Sequence, residues 1–244
     1  MNKSETHVAP DVGVISPTYC EAENICGLIQ TIEGLNLNSV LLVIDDSSPD
    51  ATRGIVEALD EKYGNILLLT RLRKMGLGTA IRDGFELLLS QPNPPKYIIT
   101  MDADYSHNPY DIPRLLDFAK NGYDLVVGSR YCEGGAAKGW TVFRRITSMV
   151  ANRLAGSLIQ LRVNDFTNGF RCYSRRCVQT VLPKLHSQTY EIQIETIRQA
   201  KLHNLKVGEI PITFENRKKG KSKLSLTEIV AFSNYIIKVL LKQK

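Results

Sequence analysis

Short apolar runs alternate with amphipathic segments along the first half of the chain. Apolar residues at helical spacing predict helices over residues 24–32, 77–89 and 112–120 and around residues 55–59. The apolar runs between them predict strands at residues 12–15, 40–44, 66–69, 97–101 and 125–127. Continuous apolar strands that alternate with helices are typical of a mostly parallel sheet covered by helices on both faces. We therefore predict an α/β fold.

The second half carries a longer amphipathic pattern. Apolar residues recur every three or four positions from Phe143 to Leu161, which predicts an amphipathic helix with Arg144, Arg145 and Arg153 beside its stripe. No internal repeat or low-complexity linker divides the chain, so we predict a single domain after a flexible N-terminus. The flexible N-terminus covers residues 1–11, and the domain covers residues 12–244. Toward its end we predict a strand at 207–214, a basic loop at 217–223 and a closing helix at 226–241.

The charge of the chain points to anionic partners. The 244 residues carry a net charge of +6, and the basic residues are concentrated in residues 130–176 and 215–244. Such an excess favours binding to phosphates, an anionic membrane or nucleic acid. Because no RNA-binding aromatic motif, zinc finger or helix-turn-helix accompanies it, we expect no nucleic-acid partner.

The cysteines and the hydropathy of the chain indicate the cellular compartment in which we expect the protein. The five cysteines include no CxxC pair, which predicts free thiols in a reducing compartment rather than a disulfide framework or zinc site. The chain has no apolar run of about 18 residues, so no membrane-spanning helix is expected. Its polar start lacks the apolar core of a signal peptide. We therefore expect a cytoplasmic protein.

Two carboxylates follow the fourth predicted strand. Asp102 and Asp104 come directly after the apolar run 97–101, at the carboxyl edge where open α/β sheets bind ligands. Residues two apart in an extended chain share one face, so both carboxylates can converge on one cation. Mg²⁺ and Mn²⁺ take oxygen ligands and often share them with substrate phosphates. The pattern predicts a metal–diphosphate site, and a pair of solvated loop aspartates is the alternative.

Three segments follow one another in the first half of the chain: the loop after the first predicted strand (residues 17–24), the loop after the second (residues 44–50) and the carboxylate motif at residues 101–104. In this order they resemble the corresponding segments of inverting GT-A glycosyltransferases of family 2. Further segments resemble the soluble type of dolichol-phosphate (polyprenol-phosphate) mannosyltransferase: residues 74–80, 128–131, 165–171, 208–214 and 221–224. The resemblance runs from about residue 12 to the C-terminus. It implies a GT-A fold, with a mostly parallel central sheet covered by helices and with acceptor-side helices near the C-terminus.

The resemblance implies transfer of mannose from GDP-mannose to a polyprenyl or dolichyl monophosphate, with inversion. It implies a divalent metal, Mg²⁺ or Mn²⁺, held by Asp102, Asp104 and Ser106, and catalytic roles for Asp104 and Arg130. We further expect Arg144 and Ser148, four apart on the predicted helix, to help hold the acceptor phosphate, and a surface arginine beside a buried small residue is the alternative. The implied donor-binding residues are Pro17, Tyr19, Glu21, Ile44, Asp46, Asp102, Ala103, Asp104, Arg130, Arg217 and Lys223.

Structural roles compete with several of these assignments. Glu21 is also suited to a helix N-terminus, and Asp46 to a turn or N-cap. We expect Asp45 and Asp50 to be capping groups rather than ligands. We expect His107 to be a loop histidine rather than a base, and Trp140 to be either a membrane anchor or part of the core.

The acceptor lipid requires contact with a membrane. The amphipathic segments 140–161 and 226–241 suit peripheral attachment at the cytoplasmic face, and core packing is the alternative for each. A small membrane-anchoring subunit is a further candidate partner. Two rival functions remain open: a GT-A enzyme that uses UDP-glucose or UDP-GlcNAc, and a catalytically silent nucleotide-binding subunit.

Overall fold

A seven-stranded mixed sheet forms the centre of the computed structural model, which describes residues 10–216 and Tyr235. The strand order is β3-β2-β1-β4-β7-β5-β8, and β6 pairs with β9 in a second small sheet. The strands are β1 Val12–Thr18, β2 Ser39–Asp45, β3 Ile66–Thr70, β4 Tyr97–Thr100, β5 Leu125–Ser129, β6 Ala136–Lys138, β7 Arg171–Ser174, β8 Val207–Pro211 and β9 Thr213–Glu215.

The helices lie between these strands along the chain. They are α1 Ala22–Glu33, α2 Thr52–Tyr63, α3 Leu77–Leu89, α4 Ile112–Lys120, α5 Val142–Ile159, α6 Arg175–Val181 and α7 Ile192–Leu202, with short 3-10 turns at Pro109–Asp111 and Leu182–Lys184. The helices predicted at residues 77–89 and 112–120 are confirmed with the same bounds. The predicted alternation of strands and helices in the first half is confirmed.

The alternation of side chains along each strand divides the core between the two faces of the sheet. On one face, Ile15 and Leu42 pack in a cluster with apolar residues of α3, α5, α6 and α7. On the other face, Val14 and Leu41 pack with apolar residues of α1, α2 and α4. Burial on both faces explains why the central strands read as continuous apolar runs.

One strand is antiparallel and was not predicted. β7 pairs antiparallel with β4 on one side and with β5 on the other. It contains only four residues and begins with Arg171, so it offers no apolar run to detect. The sheet is mostly parallel, as predicted, because the other neighbouring pairs in it are parallel.

The single strand predicted at residues 207–214 is wrong. The segment forms β8 and β9, which belong to different sheets and are separated at Ile212. Pro211 ends β8, and proline has no backbone N–H to continue a ladder. Helices α6 and α7 were also not predicted.

Several sequence predictions lie outside the described residues. They concern Arg217, Lys223, the basic loop at 217–223, the closing helix at 226–241 apart from Tyr235, and nearly all of the flexible N-terminus at 1–11. Within the described part of the chain, the five cysteines form no disulfide, as predicted. No helix in that part is both long and apolar enough to span a bilayer.

Candidate active site

Several loops meet at one edge of the central sheet. Strands β1, β2 and β4 are parallel, and β5 runs in the same direction because both β4 and β5 are antiparallel to β7. The loops that follow these four strands therefore leave the sheet at the same edge. β7 runs the other way, so the residues that precede it, 165–170, arrive at this edge too. The topology brings together Asp102, Asp104, Arg130 and the segment 165–170.

The Asp102–Asp104 loop is bent rather than extended. The backbone bends through residues 103–107, and Tyr105 has a φ of 60°. The Oδ1 atom of Asp104 accepts hydrogen bonds from the backbone N–H (3.0 Å) and the hydroxyl (2.5 Å) of Ser106. Asp104 is buried, whereas the side chain of Asp102 is 41% exposed. The extended geometry predicted for this pair is wrong because β4 ends before it, at Thr100.

His107 fixes the backbone of this loop. Its Nδ1 atom accepts a hydrogen bond from the N–H of Asp102 (3.1 Å), and its Nε2 atom lies 2.8 Å from Oδ1 of Asn168. These two contacts assign the proton to Nε2, which donates to the amide oxygen. The buried ring also stacks on Phe170, with ring centroids 5.1 Å apart. His107 is therefore a structural histidine of the loop, as predicted.

Arg130 forms a buried ion pair with Asp165. Its Nε and Nη2 atoms donate to the two carboxylate oxygens at 2.7 and 2.8 Å, and Nη2 also donates to the hydroxyl of Thr167 at 2.7 Å. Burial works to lower the pKa of Arg130, but the charge and hydrogen bonds of Asp165 outweigh it and raise that pKa. Burial works to raise the pKa of Asp165, but Arg130 outweighs it and holds that pKa below its usual value. Both groups are therefore charged at neutral pH.

A second buried arginine holds the loop that carries Asp165. The guanidinium of Arg171 donates to the carbonyl oxygens of Asn168 (2.7 Å), Phe166 (2.9 Å) and Gln193 (2.5 Å). Because Gln193 belongs to α7, these bonds tie the loop to that helix. Burial lowers the pKa of Arg171. From the sequence, Arg171 had no predicted role beyond the resemblance of its segment.

Trp140 links two of the predicted phosphate-binding arginines. The guanidinium carbon of Arg144 lies 4.3 Å from the indole centroid, and that of Arg130 lies 5.0 Å from it. Both distances are typical of cation–π contacts. Phe214 packs edge-on against the same indole, with centroids 5.4 Å apart. Trp140 therefore serves as a shared platform that holds two positive charges near each other.

Arg144 and Ser148 lie one turn apart on α5, as expected. Thr141 begins this helix by accepting a hydrogen bond from the N–H of Arg144 on its side-chain oxygen (3.2 Å). The Nη1 atom of Arg144 donates to Oδ1 of Asn216 at 3.1 Å. The carbonyl oxygen of Ser148 accepts from the amide of Asn152 (2.9 Å). The structure brings Arg144 next to Arg130, while the phosphate-binding role of both stays a prediction.

The end of β1 and the loop that follows it carry three of the predicted donor-binding residues. Pro17 lies in β1, and Lys74 lies over the ring of Tyr19, 5.2 Å from its centroid. Glu21 is buried at the start of α1, where its Oε2 atom accepts from the amide of Asn24 at 2.8 Å. The helix-start role considered for Glu21 is present in the structure, and its donor-binding role remains a prediction.

Asp46 has a buried partner that the sequence did not indicate. The Nε and Nη2 atoms of Arg71 lie 2.6 and 2.5 Å from Oδ1 of Asp46. The N–H of Met75 donates to Oδ2 at 3.3 Å. Ile44 lies two residues earlier within β2, and its side chain is part of the core, so only its backbone is available to a ligand. A charge pair, rather than the turn or N-cap considered as its alternative role, fixes Asp46, and its donor-binding role remains a prediction.

Asp45 and Asp50 make the structural contacts that were expected of them. Asp45 accepts from the N–H of Ser48 at 2.9 Å, which closes a turn after β2. Asp50 accepts from the N–H of Thr52 at 3.1 Å, at the start of α2, and from that of Ala22 at 3.2 Å. These bonds hold the second loop against the start of α1.

The family comparison decides the class of the protein. Residues 13–182 match the model of glycosyl transferase family 2. The chain belongs to glycosyl transferase family 2. The polyprenol monophosphomannose synthase of Mycolicibacterium smegmatis is 35% identical over 218 residues, which cover 88% of this chain and 82% of that protein. The dolichol-phosphate mannosyltransferase of Pyrococcus furiosus is 33% identical over 235 residues, which cover 94% of this chain and 63% of that protein.

Solved structures of glycosyltransferases share the fold. A glucosyl-3-phosphoglycerate synthase from Mycobacterium tuberculosis, in complex with Mn²⁺ and UDP, has a TM-score of 0.68 at 20% identity, covering 96% of this chain and 79% of its own. A mannosyltransferase from Pyrobaculum calidifontis, in complex with GDP-Man and Mn²⁺, has a TM-score of 0.62 at 14% identity, covering 97% and 64%. The predicted GT-A fold of this family 2 member is therefore confirmed.

The site of this family 2 member contains residues that sequence reasoning missed. Trp140 was considered only as a membrane anchor or core residue, and Arg71 was not considered at all. The only signal was the resemblance of segment 165–171, which marked Asp165 and Arg171 without giving them roles. No local pattern identifies the partner of a buried arginine, because the two groups are far apart in the sequence.

Proposed function

We propose that the protein transfers mannose from GDP-mannose to a polyprenyl monophosphate and releases GDP. The proposal is supported by the two relatives named for polyprenol- and dolichol-phosphate mannosylation. One observation of the geometry carries it: a carboxylate pair and an arginine pair share one edge of the sheet. The carboxylates are Asp102 and Asp104, and the arginines are Arg130 and Arg144 on Trp140. This arrangement suits a reaction between two phosphate-bearing substrates.

The chemistry requires few groups from the protein. An oxygen of the acceptor phosphate would attack C1 of mannose, and the bond between C1 and the diphosphate oxygen would break with its electron pair leaving on GDP. The acceptor oxygen is already anionic at neutral pH, so the reaction does not need a strong general base. The attack on the opposite side of C1 would invert its configuration. Arg144 and Ser148 would hold the acceptor phosphate, and Arg130, which we predict to contact the donor, would reduce the repulsion between that phosphate and the diphosphate.

Asp102 and Asp104 would hold a divalent metal, Mg²⁺ or Mn²⁺, with Ser106 as a candidate third ligand. When bound, such a cation would neutralise charge that develops on the leaving diphosphate. The described residues contain no cluster of three or more histidine, cysteine or acidic side chains suited to a metal. A pair of carboxylates fits a cation whose other ligands come from the substrate diphosphate and water.

The remaining donor contacts belong to the first two loops. Tyr19 and Glu21, with Pro17, would line the nucleotide pocket, and Asp46 would hold the nucleoside beside the Ile44 backbone. The Arg71–Asp46 pair would keep that carboxylate in place before the donor binds. Further proposed donor-binding residues are Ala103, next to the metal site, and Arg217 and Lys223, which lie outside the described residues.

Replacing Asp104 by alanine should abolish transfer. We expect the rate of mannose transfer from radiolabelled GDP-mannose into organic-extractable lipid to fall on the order of a thousandfold, because charge stabilisation at the diphosphate is lost. Purified full-length protein, Mg²⁺ or Mn²⁺ and a short polyprenyl phosphate are sufficient for the assay. Asp117→Ala, which removes an exposed carboxylate of α4, is the matched control and should leave the rate unchanged.

The donor is tested separately from the acceptor. GDP should raise the melting temperature more than UDP in a thermal-shift assay that contains the metal. A larger shift with UDP, together with labelled product from UDP-glucose or UDP-GlcNAc, would overturn the mannosyl donor. Tight GDP binding without transfer from any donor would support the silent-subunit alternative. A membrane-anchoring subunit remains a prediction.

A further inference from the structure

The side chain of Gln193 carries a buried amide oxygen that has no hydrogen-bond partner in the described part of the chain. The residue is 2% exposed. Buried polar atoms are nearly always paired, because an unpaired one has lost its water without gaining a substitute. The buried amides of Asn152 and Asn168 follow this rule, since the oxygen and the nitrogen of each make hydrogen bonds. The unpaired oxygen of Gln193 is therefore a candidate for contact with a ligand.

This amide lies beside Gly169 and the predicted metal ligand Asp102. A Cβ atom on Gly169 would lie 3.2 Å from Nε2 of Gln193 and 3.9 Å from Oδ1 of Asp102. The Gly169 carbonyl accepts a hydrogen bond from the hydroxyl of Thr100 at 2.7 Å, which fixes the glycine to the end of β4. The amide and the carboxylate therefore border the same small space, which a glycine leaves open and a larger residue would fill.

The backbone of Gln193 is held in place at the start of α7. Its carbonyl oxygen accepts hydrogen bonds from Nη1 of Arg171 at 2.5 Å and from the hydroxyl of Thr196 at 3.1 Å. The same guanidinium binds two carbonyl oxygens of the loop before β7. A half-turn of the terminal amide exchanges its oxygen and its nitrogen at nearly constant shape. The fixed backbone thus presents an amide that can offer either atom to the space beside Asp102.

A sugar hydroxyl suits this amide better than a phosphate does. An amide offers an acceptor oxygen and two donor hydrogens without carrying a charge, and a hydroxyl both donates and accepts. Phosphates are bound most strongly by positively charged groups. In the proposed function, a cation on Asp102 holds the diphosphate of the donor, and the hexose is bonded directly to that diphosphate. The hexose is therefore the part of the donor that an amide beside Asp102 would reach.

We propose that the amide of Gln193 hydrogen-bonds a hydroxyl group of the transferred hexose and thereby contributes to the choice of donor sugar. A buried group that pairs with a substrate hydroxyl discriminates against sugars that lack this hydroxyl, because the amide then stays unpaired. The inference rests on the proposed function for the position of the donor. It adds a residue that binds the sugar rather than the nucleotide or the metal.

The test replaces the amide by an apolar group of similar shape. Gln193→Met removes both hydrogen-bonding atoms, and circular dichroism will check that the full-length variant is folded. Gln199→Met is the matched control, because it makes the same change at a half-buried glutamine of the same helix. If Gln193→Met does not fold, Gln193→Asn takes its place, since the shorter side chain keeps an amide but withdraws it from the sugar.

Calorimetry in the presence of Mg²⁺ or Mn²⁺ compares the binding of the nucleotide with that of the nucleotide sugar. We expect Gln193→Met to bind GDP within about twofold of wild type and GDP-mannose at least about tenfold more weakly than wild type. The control should bind both ligands like wild type. Equal losses for GDP and GDP-mannose, or no loss for either, would overturn the inference, because the glutamine would then have no contact with the sugar.

Deoxy analogues of GDP-mannose identify the contact itself. Analogues that each lack one sugar hydroxyl are compared in the same binding assay without acceptor, so that differences in their reactivity do not enter. One analogue should bind wild type at least about tenfold more weakly than GDP-mannose does, and it should bind Gln193→Met no more weakly than GDP-mannose does, since the contact is already absent. If every analogue loses the same factor in the variant as in wild type, the inference is overturned.

The outcome is distinguishable from a failure of the proposed function. If wild type transfers no mannose and binds UDP better than GDP, the mannosyl donor fails, and the comparison is repeated with UDP and UDP-glucose. A loss in Gln193→Met that is confined to UDP-glucose would then support the sugar contact with a different hexose. Equal losses for UDP and UDP-glucose would overturn it. If wild type binds no nucleotide sugar, the inference and the proposed function are both wrong.

Discussion

Trp140 is the residue whose role changes most between sequence and structure. As the sole tryptophan it was considered an anchor or a core residue. In the structure its indole ring packs against the guanidinium groups of Arg130 and Arg144. Two like charges repel each other in a partly buried site, and the electron-rich face of an indole lowers that cost. An aromatic platform can therefore keep two arginines ready for one phosphate.

Replacing Trp140 by leucine should weaken acceptor binding. We expect KM for the polyprenyl phosphate to rise about tenfold, since two cation–π contacts of roughly 0.5–1 kcal/mol each are lost. Trp140→Phe, which keeps an aromatic face, should rescue part of the loss. Steady-state kinetics with both variants will distinguish KM from kcat. Unchanged KM for the lipid, or an equal loss with leucine and phenylalanine, would contradict the platform role.

Asp46 is a second residue whose contact partner is visible only in the tertiary structure. A carboxylate within an Asp-Asp-Ser-Ser sequence suggests a turn, and Asp45 does make one with Ser48. Asp46 instead pairs with Arg71, which follows it by 25 positions. A turn is a local interaction and can be anticipated from neighbouring residues, whereas this ion pair depends on β2 and β3 lying side by side.

Among the elements, α3 depends on two glycines at its start. Gly76 has a φ of +94°, and a Cβ at this position would lie 2.4 Å from the carbonyl oxygen of Gln188. A Cβ on Gly78 would lie 2.4 Å from the carbonyl oxygen of Ser187. The N–H of Gly78 donates to the Gln188 carbonyl at 2.9 Å. The segment before α7 is therefore packed directly on the backbone of the α3 start.

Gly78→Ala should destabilise the protein by about 1–3 kcal/mol, because backbone atoms must move to admit the methyl group. Gly54→Ala is the matched control: this glycine lies in α2, and a Cβ there would meet nothing within 4 Å. It should stabilise the protein by about 0.4–1 kcal/mol through lower entropy of the unfolded chain. Urea unfolding measures both, and equal effects would contradict the close packing at the start of α3.

Helix α7 shows why some elements cannot be read from hydrophobic periodicity. Its buried residues include Gln193, Glu195 and Thr196 as well as isoleucines. Glu195 accepts hydrogen bonds from the N–H groups of His186 and Ser187, and Thr196 accepts one from Arg171. Buried polar groups that are paired in this way carry no signal of burial in the sequence. Helix α3, which buries apolar residues, was predicted with its bounds.

At the scale of the whole molecule, buried charge makes stability depend on pH. Asp165 pairs with Arg130 in the interior, and its pKa lies below the ordinary value of 3.8. A carboxylate with a depressed pKa stabilises the folded state above its unfolded pKa and loses this contribution as the pH falls through its folded pKa. Asp124, which accepts hydrogen bonds from Arg176 and also has a lowered pKa, acts in the same direction.

The melting temperature should therefore be constant near neutral pH and fall as the pH drops below about 3.8. Asp165→Asn should lower stability at pH 7, because Arg130 is left without its buried counter-charge. The same variant should lose less stability than wild type between pH 5 and 3, since the titrating group is gone. Thermal melts at constant ionic strength test this, and parallel pH profiles would contradict it.

The sequence by itself determined the order of strands and helices in the first half and the residues at the carboxyl ends of the strands. These follow from local periodicity, which every segment carries in its own residues. The resemblance added the fold, the family and the proposed site residues. Tertiary structure alone decided that Asp165 holds Arg130 and that Trp140 joins Arg130 to Arg144. It also decided that α5 buries Asn152 and Ala155 and exposes its apolar stripe, because a helix's orientation is set by the surface on which it packs.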